Sequence, residues 1–280
     1  MESKNHKRIA FKVVDDIKNG VYLQQIFAFA SAEGYPIEAG FYKGKDSLLL
    51  ELFEKYQISN STLHTNHYRF DLGSLLDKPE QKYELLDILS KDLELARKIG
   101  AKRIVIHPYK FPFTKKTNAQ KKVVELLVNE IAGISQMLGM LGITAHIENT
   151  FDEISFYRVL FEEMKKRSVQ NFGFCFDIGH AKIWSSSTLA QWTRLLYDMD
   201  DMGFPIHSHL HVNYGIFDDH LPFFDEILSS ISQEDEFLEG EYLDCIKNLV
   251  DSFPKATFTA EVKSKFALQN MQIINNLWQN

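Results

Sequence analysis

The chain has 280 residues, 45% of them hydrophobic, a formal net charge of −7 and two cysteines. That length and composition suit one large α/β barrel or two ordinary domains with ample core, and the negative balance argues against a sequence-independent grip on nucleic acid, which Lys and Arg dominate. Cys175 and Cys245 lie far apart and form no CxxC, which suggests neither a disulfide framework nor a thiolate zinc site and leaves two reduced, buried thiols as the expectation.

Met1 to Val14 is charged and lacks an apolar stretch followed by a small-residue cleavage site, and no run of about 18 apolar residues follows. The reading is a cytoplasmic protein without a membrane partner. In chain order, strands are expected near Arg8–Val14, Pro36–Gly40, Ile58–His64, Arg103–His107, Thr144–Glu148, Phe172–Asp177, Ile206–His211 and Lys255–Glu261. Helical patterns fill the gaps. In the third, Leu86, Leu89, Leu93 and Ala96 recur every three or four residues, and Gly100 stands where a left-handed C-cap belongs. No Pro/Ser-rich linker interrupts the alternation, so residues 1–280 read as a single domain, a (β/α)8 TIM barrel.

Strand parity carries finer information, because successive side chains face the barrel interior and the helices in turn. Phe172, Phe174 and Phe176 share one face, and Gly173, Cys175 and Asp177 the other. Likewise Ile143, Ala145 and Ile147 oppose Thr144, His146 and Glu148; Ile104 and Ile106 oppose Val105 and His107; Phe258 and Ala260 oppose Thr257, Thr259 and Glu261. The inward rows are small or polar where a purely structural barrel fills them with Val, Ile and Leu.

Nine metal-capable side chains, His64, His107, Glu148, Asp177, His180, His211, Asp218, His220 and Glu261, fall at or just beyond the strand ends. Those ends converge on one mouth, where barrel enzymes place their chemistry. Imidazole and carboxylate without thiolate suit zinc, manganese and similar divalent ions, one or more per chain. Each residue has a plainer reading. His107 before Pro108 could cap backbone groups, Glu148 and Glu261 could be salt-bridge partners, Asp177 could cap a helix beginning near His180, and Asp218 with His220 could be solvated loop. An inward carboxylate at a strand end needs a cation, however, and its own strand offers none. His207 and His209 share the parity of His211 and are expected to be buried, hydrogen-bonded histidines short of the mouth; His146 is read the same way, and His6 and His67 as tail and loop. Lys43, Lys45, Lys110, Lys115, Lys116, Lys263 and Lys265 follow strand ends, where they would favour an anionic substrate if they line the mouth.

Leu63-His64, Ile106-His107-Pro108, Ile147-Glu148-Asn149, Phe176-Asp177-Ile178-Gly179-His180, His211-Val212-Asn213, Asp218-Asp219-His220-Leu221-Pro222 and Ala260-Glu261-Val262, in this order and spacing, resemble the xylose isomerase-like barrels. These include sugar and sugar-phosphate isomerases and epimerases and the zinc-dependent apurinic-site (AP) endonucleases of family 2. In the isomerase branch the resemblance implies one divalent ion on Glu148, Asp177, His211 and Glu261, with Glu148 and Glu261 as an acid–base pair on a small carbohydrate. In that branch His180 and His107 would help hold the substrate. In the endonuclease branch it implies a cluster of ions in which His64, His107, His180, Asp218 and His220 are ligands too, and nucleic acid is the substrate. A non-catalytic sugar- or metal-binding barrel is a third reading, against which the intact acid pair speaks. A homo-oligomer is compatible with all three.

Overall fold

Alternation within the strands builds two layers. Phe174 and Phe176 turn outward onto Trp192, with ring centroids 6.5 and 5.6 Å apart, while a side chain on Gly173 would collide with the His146 ring inside the barrel. The computed structural model describes residues 8–42, 46–214, 216–224, 226–228 and 239–279. Its strands are β1 (Ile9–Val14), β2 (Ile37–Gly40), β3 (Thr62–His64), β4 (Arg103–Ile106), β5 (Thr144–Glu148), β6 (Phe172–Asp177), β7 (Ile206–Leu210) and β8 (Thr257–Ala260). They close in chain order into a parallel barrel, with Ile9 of β1 opposite Phe258 of β8. The expected (β/α)8 architecture is therefore present.

Helices α1 (Gly20–Glu33), α2 (Asp46–Tyr56), α3 (Lys82–Lys98), α4 (Thr117–Leu141), α5 (Ile154–Lys166), α6 (Ile178–Trp184), α7 (Leu189–Asp201), α8 (Glu239–Ser252) and α9 (Ala267–Gln279) join the strands. Gly100, just past α3, takes the left-handed conformation at φ 66°, as its position predicts. By length and composition alone α4 could cross a membrane. Yet its Val123, Leu127, Ile131, Ile134 and Leu138 form one buried stripe, with Lys121, Lys122, Glu125 and Asn129 exposed opposite, the pattern of an outer barrel helix.

Several strand boundaries differ from the sequence reading. The third strand is shorter than Ile58–His64, because Gln57 and Asn60 adopt φ of 51° and 58° and residues 57–61 turn the chain out of α2 before it can pair. His107, His211 and Glu261 lie one residue beyond their strands, at the mouth.

The interior at and below the mouth is polar and buried: Lys12, Glu38, Thr62, His146, His207, His209 and Thr259. Such groups need partners. Glu38 accepts from Lys12 at 2.6 Å, His207 at 3.0 Å and Thr259 at 2.8 Å. Cys175 and Cys245 are buried and form no disulfide.

Candidate metal centre at the barrel mouth

The nine side chains singled out by their strand-end positions gather at one end of the barrel. Glu148 ends β5 and is 1% exposed. Its Oε2 lies 3.1 Å from both His64 Nε2 and His107 Nε2, and its Oε1 is 3.2 Å from His180 Nδ1. Asp177 ends β6 and does two things at once. It caps α6 by accepting the His180 N–H at 2.7 Å, and its two oxygens stand 2.9 and 3.0 Å from His211 Nε2. The helix-cap reading is thus correct without displacing the other.

Asp218 and His220 lie in a loop and are partly exposed, yet both are tied into the mouth. Asp218 Oδ2 links His180 Nε2 at 3.2 Å to His220 Nε2 at 2.9 Å. Asn213 donates to Asp218 Oδ1 at 3.2 Å and accepts the backbone N–H groups of Asp219 and His220. That clamp holds His220 at φ 50°, a region costly for a residue with a side chain and typically over-determined by its surroundings. Glu261 closes the ring, with Oε1 4.0 Å from His220 Nδ1.

Four residues that the sequence reading left without a role join them. His209 was expected to stop short of the mouth, but its Nδ1 lies 2.6 Å from Glu261 Oε2; the slant of β7 in the barrel brings it level with the ends of its neighbours. Lys12 supplies the cation said to be missing, with Nζ 2.6 Å from Glu38 and 3.1 Å from Glu261. It comes from a different strand, which inspection of each carboxylate's own strand could not reveal. His67, taken for a loop residue, stacks on His107 at 4.7 Å between centroids, and Tyr42 bonds His64 Nδ1 through its hydroxyl at 2.7 Å. Alternation held the signal for Lys12 and Glu38, since each opposes an apolar row, Ile9, Phe11 and Val13 or Ile37 and Ala39.

Burial alone would neutralise these acids, but neighbouring imidazoles reverse it. Glu148 is held well below the usual carboxylate range by His107 and His209, Asp177 by His180 and His211, and Glu261 by His209 and Lys12. Conversely, desolvation opposes a charged His180, and Asp177, Asp218 and Glu148 outweigh it, lifting its imidazole to about 10. The mouth is therefore a dense array of carboxylates needing positive charge.

A divalent cation fits this array. His209 Nδ1, His211 Nδ1, His220 Nδ1 and Glu261 Oε2 are buried and have no hydrogen-bond partner among the described residues, an expensive state unless something else binds them. One donor each from Glu148, Asp177 and His180 lie within 4.8 Å of one another, and so do donors from His211, Asp218 and His220. Donors placed tetrahedrally around a zinc-sized ion at about 2.0–2.2 Å stand about 3.3–3.6 Å apart, a few tenths of an ångström beyond the separations above. Over this floor opens a cavity of about 700 Å³ walled by Tyr42, Tyr68, Phe111, Phe151 and Trp184, with Lys110 and Lys263 on its rim. Lys115, Lys116 and Lys265 are exposed away from it; His6, Lys43 and Lys45 lie outside the described residues.

Known proteins show the same framework. An uncharacterized protein of Methanocaldococcus jannaschii is 26% identical over 179 residues, a match covering 61% of this chain and 63% of that protein. Among solved structures, the D-tagatose 3-epimerase-like protein superposes with a TM-score of 0.70 at 17% identity, covering 96% of this chain and 97% of its own. The TTHB071 protein of Thermus thermophilus, soaked with ZnCl2, gives 0.69 at 19% identity over 96% and 98% of the two chains. The profile of one family matches residues 27–239, and with the closed eight-stranded barrel on which that match falls, the chain belongs to the xylose isomerase-like TIM barrels.

Proposed function

We propose that this protein is a divalent-metal-dependent sugar or sugar-phosphate isomerase or epimerase in which Glu148 and Glu261 form the proton-transfer pair. The observation that carries the reading is the convergence of the two carboxylates, from β5 and from the end of β8, on one imidazole. His209 Nδ1 is 3.5 Å from Glu148 Oε1 and 2.6 Å from Glu261 Oε2. Two carboxylates so placed can address neighbouring carbons of one small substrate, one removing a proton and the other returning it.

Glu148, Asp177, His211 and Glu261 would hold the ion, which when bound polarises a carbonyl and its adjacent hydroxyl. The chain's own residues do the rest. Tyr42, Phe151 and Trp184 offer apolar faces to the C–H surface of a sugar and restrict water at the floor. His107 and His180 direct ring nitrogens toward the same floor, where they can orient hydroxyls. Lys110 and Lys263 on the rim favour a phosphorylated substrate.

A second reading is an AP endonuclease-like phosphodiesterase holding several ions. The linked His180–Asp218–His220 group supports it, because a single-ion isomerase has no need of that third set of donors. Counting zinc and manganese on the purified protein, together with ketose turnover in D2O and an abasic-duplex cleavage assay, separates the two. Solvent deuterium entering the ketose without strand cleavage is expected. Close to three ions per chain with duplex cleavage would overturn the isomerase reading in favour of the second.

A further inference from the structure

His209 occupies the point where the mouth's carboxylates meet. Its ring is fully buried, and Nδ1 lies 2.6 Å from Glu261 Oε2, 3.5 Å from Glu148 Oε1 and 3.5 Å from Asp177 Oδ2. Despite that proximity, neither Nδ1 nor Glu261 Oε2 has a hydrogen-bond partner among the described residues, so the nitrogen is surrounded by the three oxygens without being aligned on any of them. The opposite ring nitrogen is engaged. Nε2 lies 3.0 Å from Glu38 Oε1 and 3.3 Å from Oε2. Glu38 is fixed in turn by Lys12 at 2.6 Å and Thr259 at 2.8 Å. A carboxylate that accepts one ring N–H leaves the other nitrogen with a bare lone pair, and this is how metal-binding histidines are commonly prepared.

The geometry points to His209 as an additional ligand of the divalent ion held by Glu148, Asp177, His211 and Glu261, with Glu38 as the carboxylate that orients it. This rests on the function proposed above and adds to its ligand set. The 3.5 Å separation already matches the about 3.3–3.6 Å of donors sharing one ion and the 2.6 Å contact is shorter, so small rotations of the side chains complete the set. Lys12 then has a defined part. By holding Glu38 in place from β1 it keeps the orienting carboxylate from turning toward the ion itself.

The test uses Mn2+ alone, at one equivalent per chain, on the full-length protein, H209Q and E38Q, with circular dichroism to establish that each is folded. Pulsed electron paramagnetic resonance reads nitrogen coupling to Mn2+, and calorimetry reads affinity. H209Q is expected to lose one nitrogen coupling, while E38Q retains it and binds Mn2+ about 10–100-fold more weakly. An unchanged coupling in H209Q overturns this inference alone. If H209Q does not fold, E38Q decides, and undiminished Mn2+ affinity there overturns it. A wild-type protein that binds no Mn2+ overturns both this inference and the function on which it rests.

Discussion

Lys12 Nζ lies 3.1 Å from Glu261 Oε1, so the carboxylate proposed for proton transfer carries a fixed cation delivered from the opposite end of the sequence. The same ammonium is 2.6 Å from Glu38, and both Lys12 and Glu38 are buried. Removing one partner of a buried pair leaves a charge without its counter-ion. K12M is therefore expected to lose about 3–5 kcal/mol of folding free energy, read as a lower urea midpoint. K12M/E38Q should be more stable than the sum of its single variants by about 1 kcal/mol or more. Strict additivity would show that the contact is energetically idle.

Gly179 passes directly beneath the His211 ring. A Cβ there would stand 2.1 Å from His211 Cε1 and 2.6 Å from each ring nitrogen, closer than real atoms approach. G179A lies in α6, where Ala is the better helix former, so the fold should survive while the imidazole is displaced. Loss of a well-placed ligand predicts Mn2+ binding weakened about tenfold or more, measured by calorimetry on protein whose thermal midpoint is within a few degrees of wild type. Unaltered affinity would mean that His211 holds no ion.

Much of this was legible in the sequence, for reasons that also explain what was not. The barrel follows from period-two alternation in strands such as Phe172–Asp177, and the mouth from polar residues at the ends of inward rows; both signals are local. Boundary errors arose where backbone conformation overrode composition, as at Gln57 and Asn60, whose positive φ ends a run that otherwise reads as strand. The misplacement of His209 and the omission of Lys12 and Glu38 have a different cause. How far along the barrel axis a residue lies depends on strand stagger. Asp177 is opposite His209 in the ladder, not His211, and that register is a property of the closed sheet rather than of any one segment.

Deep in the barrel, His207 gives stability a distinct pH dependence. Burial holds its imidazole down to about 4, against the raising effect of its bond to Glu38. A group whose folded pKa is depressed contributes stability that is present above its unfolded pKa and is lost as pH falls toward the folded value. With an unfolded histidine near 6.5, stability should decline from about pH 6.5 toward 4, before most carboxylates protonate. His207 alone accounts for about 2–3 kcal/mol of that decline. Urea unfolding at pH 7 and pH 5 should show the drop in wild type and a smaller one in H207N; equal drops in the two would dismiss His207 as its source.

Chelation tests the ion in a way independent of turnover. Glu148, Asp177, Asp218 and Glu261 crowd one mouth, and Lys12 is the lysine that pairs with any of them there among the described residues. Without a divalent ion the charge balance falls to the imidazoles, and His180 and His220 have their pKa values raised by these same acids. The ion-free mouth must then gather protons that the loaded mouth does not need. A ligand that binds only the folded state stabilises it by about 2.7 kcal/mol at one hundred times its Kd. Treatment with EDTA should therefore lower the thermal midpoint by several degrees at pH 8, and less at pH 6, where protons compete more strongly with the ion for its ligands. Back-titration with Zn2+ or Mn2+ should restore it, and Mg2+, which prefers all-oxygen sites, should do so poorly. A midpoint indifferent to chelator at both pH values would leave the mouth as a self-contained network of acids and imidazoles, with no resident ion on which an isomerase could draw.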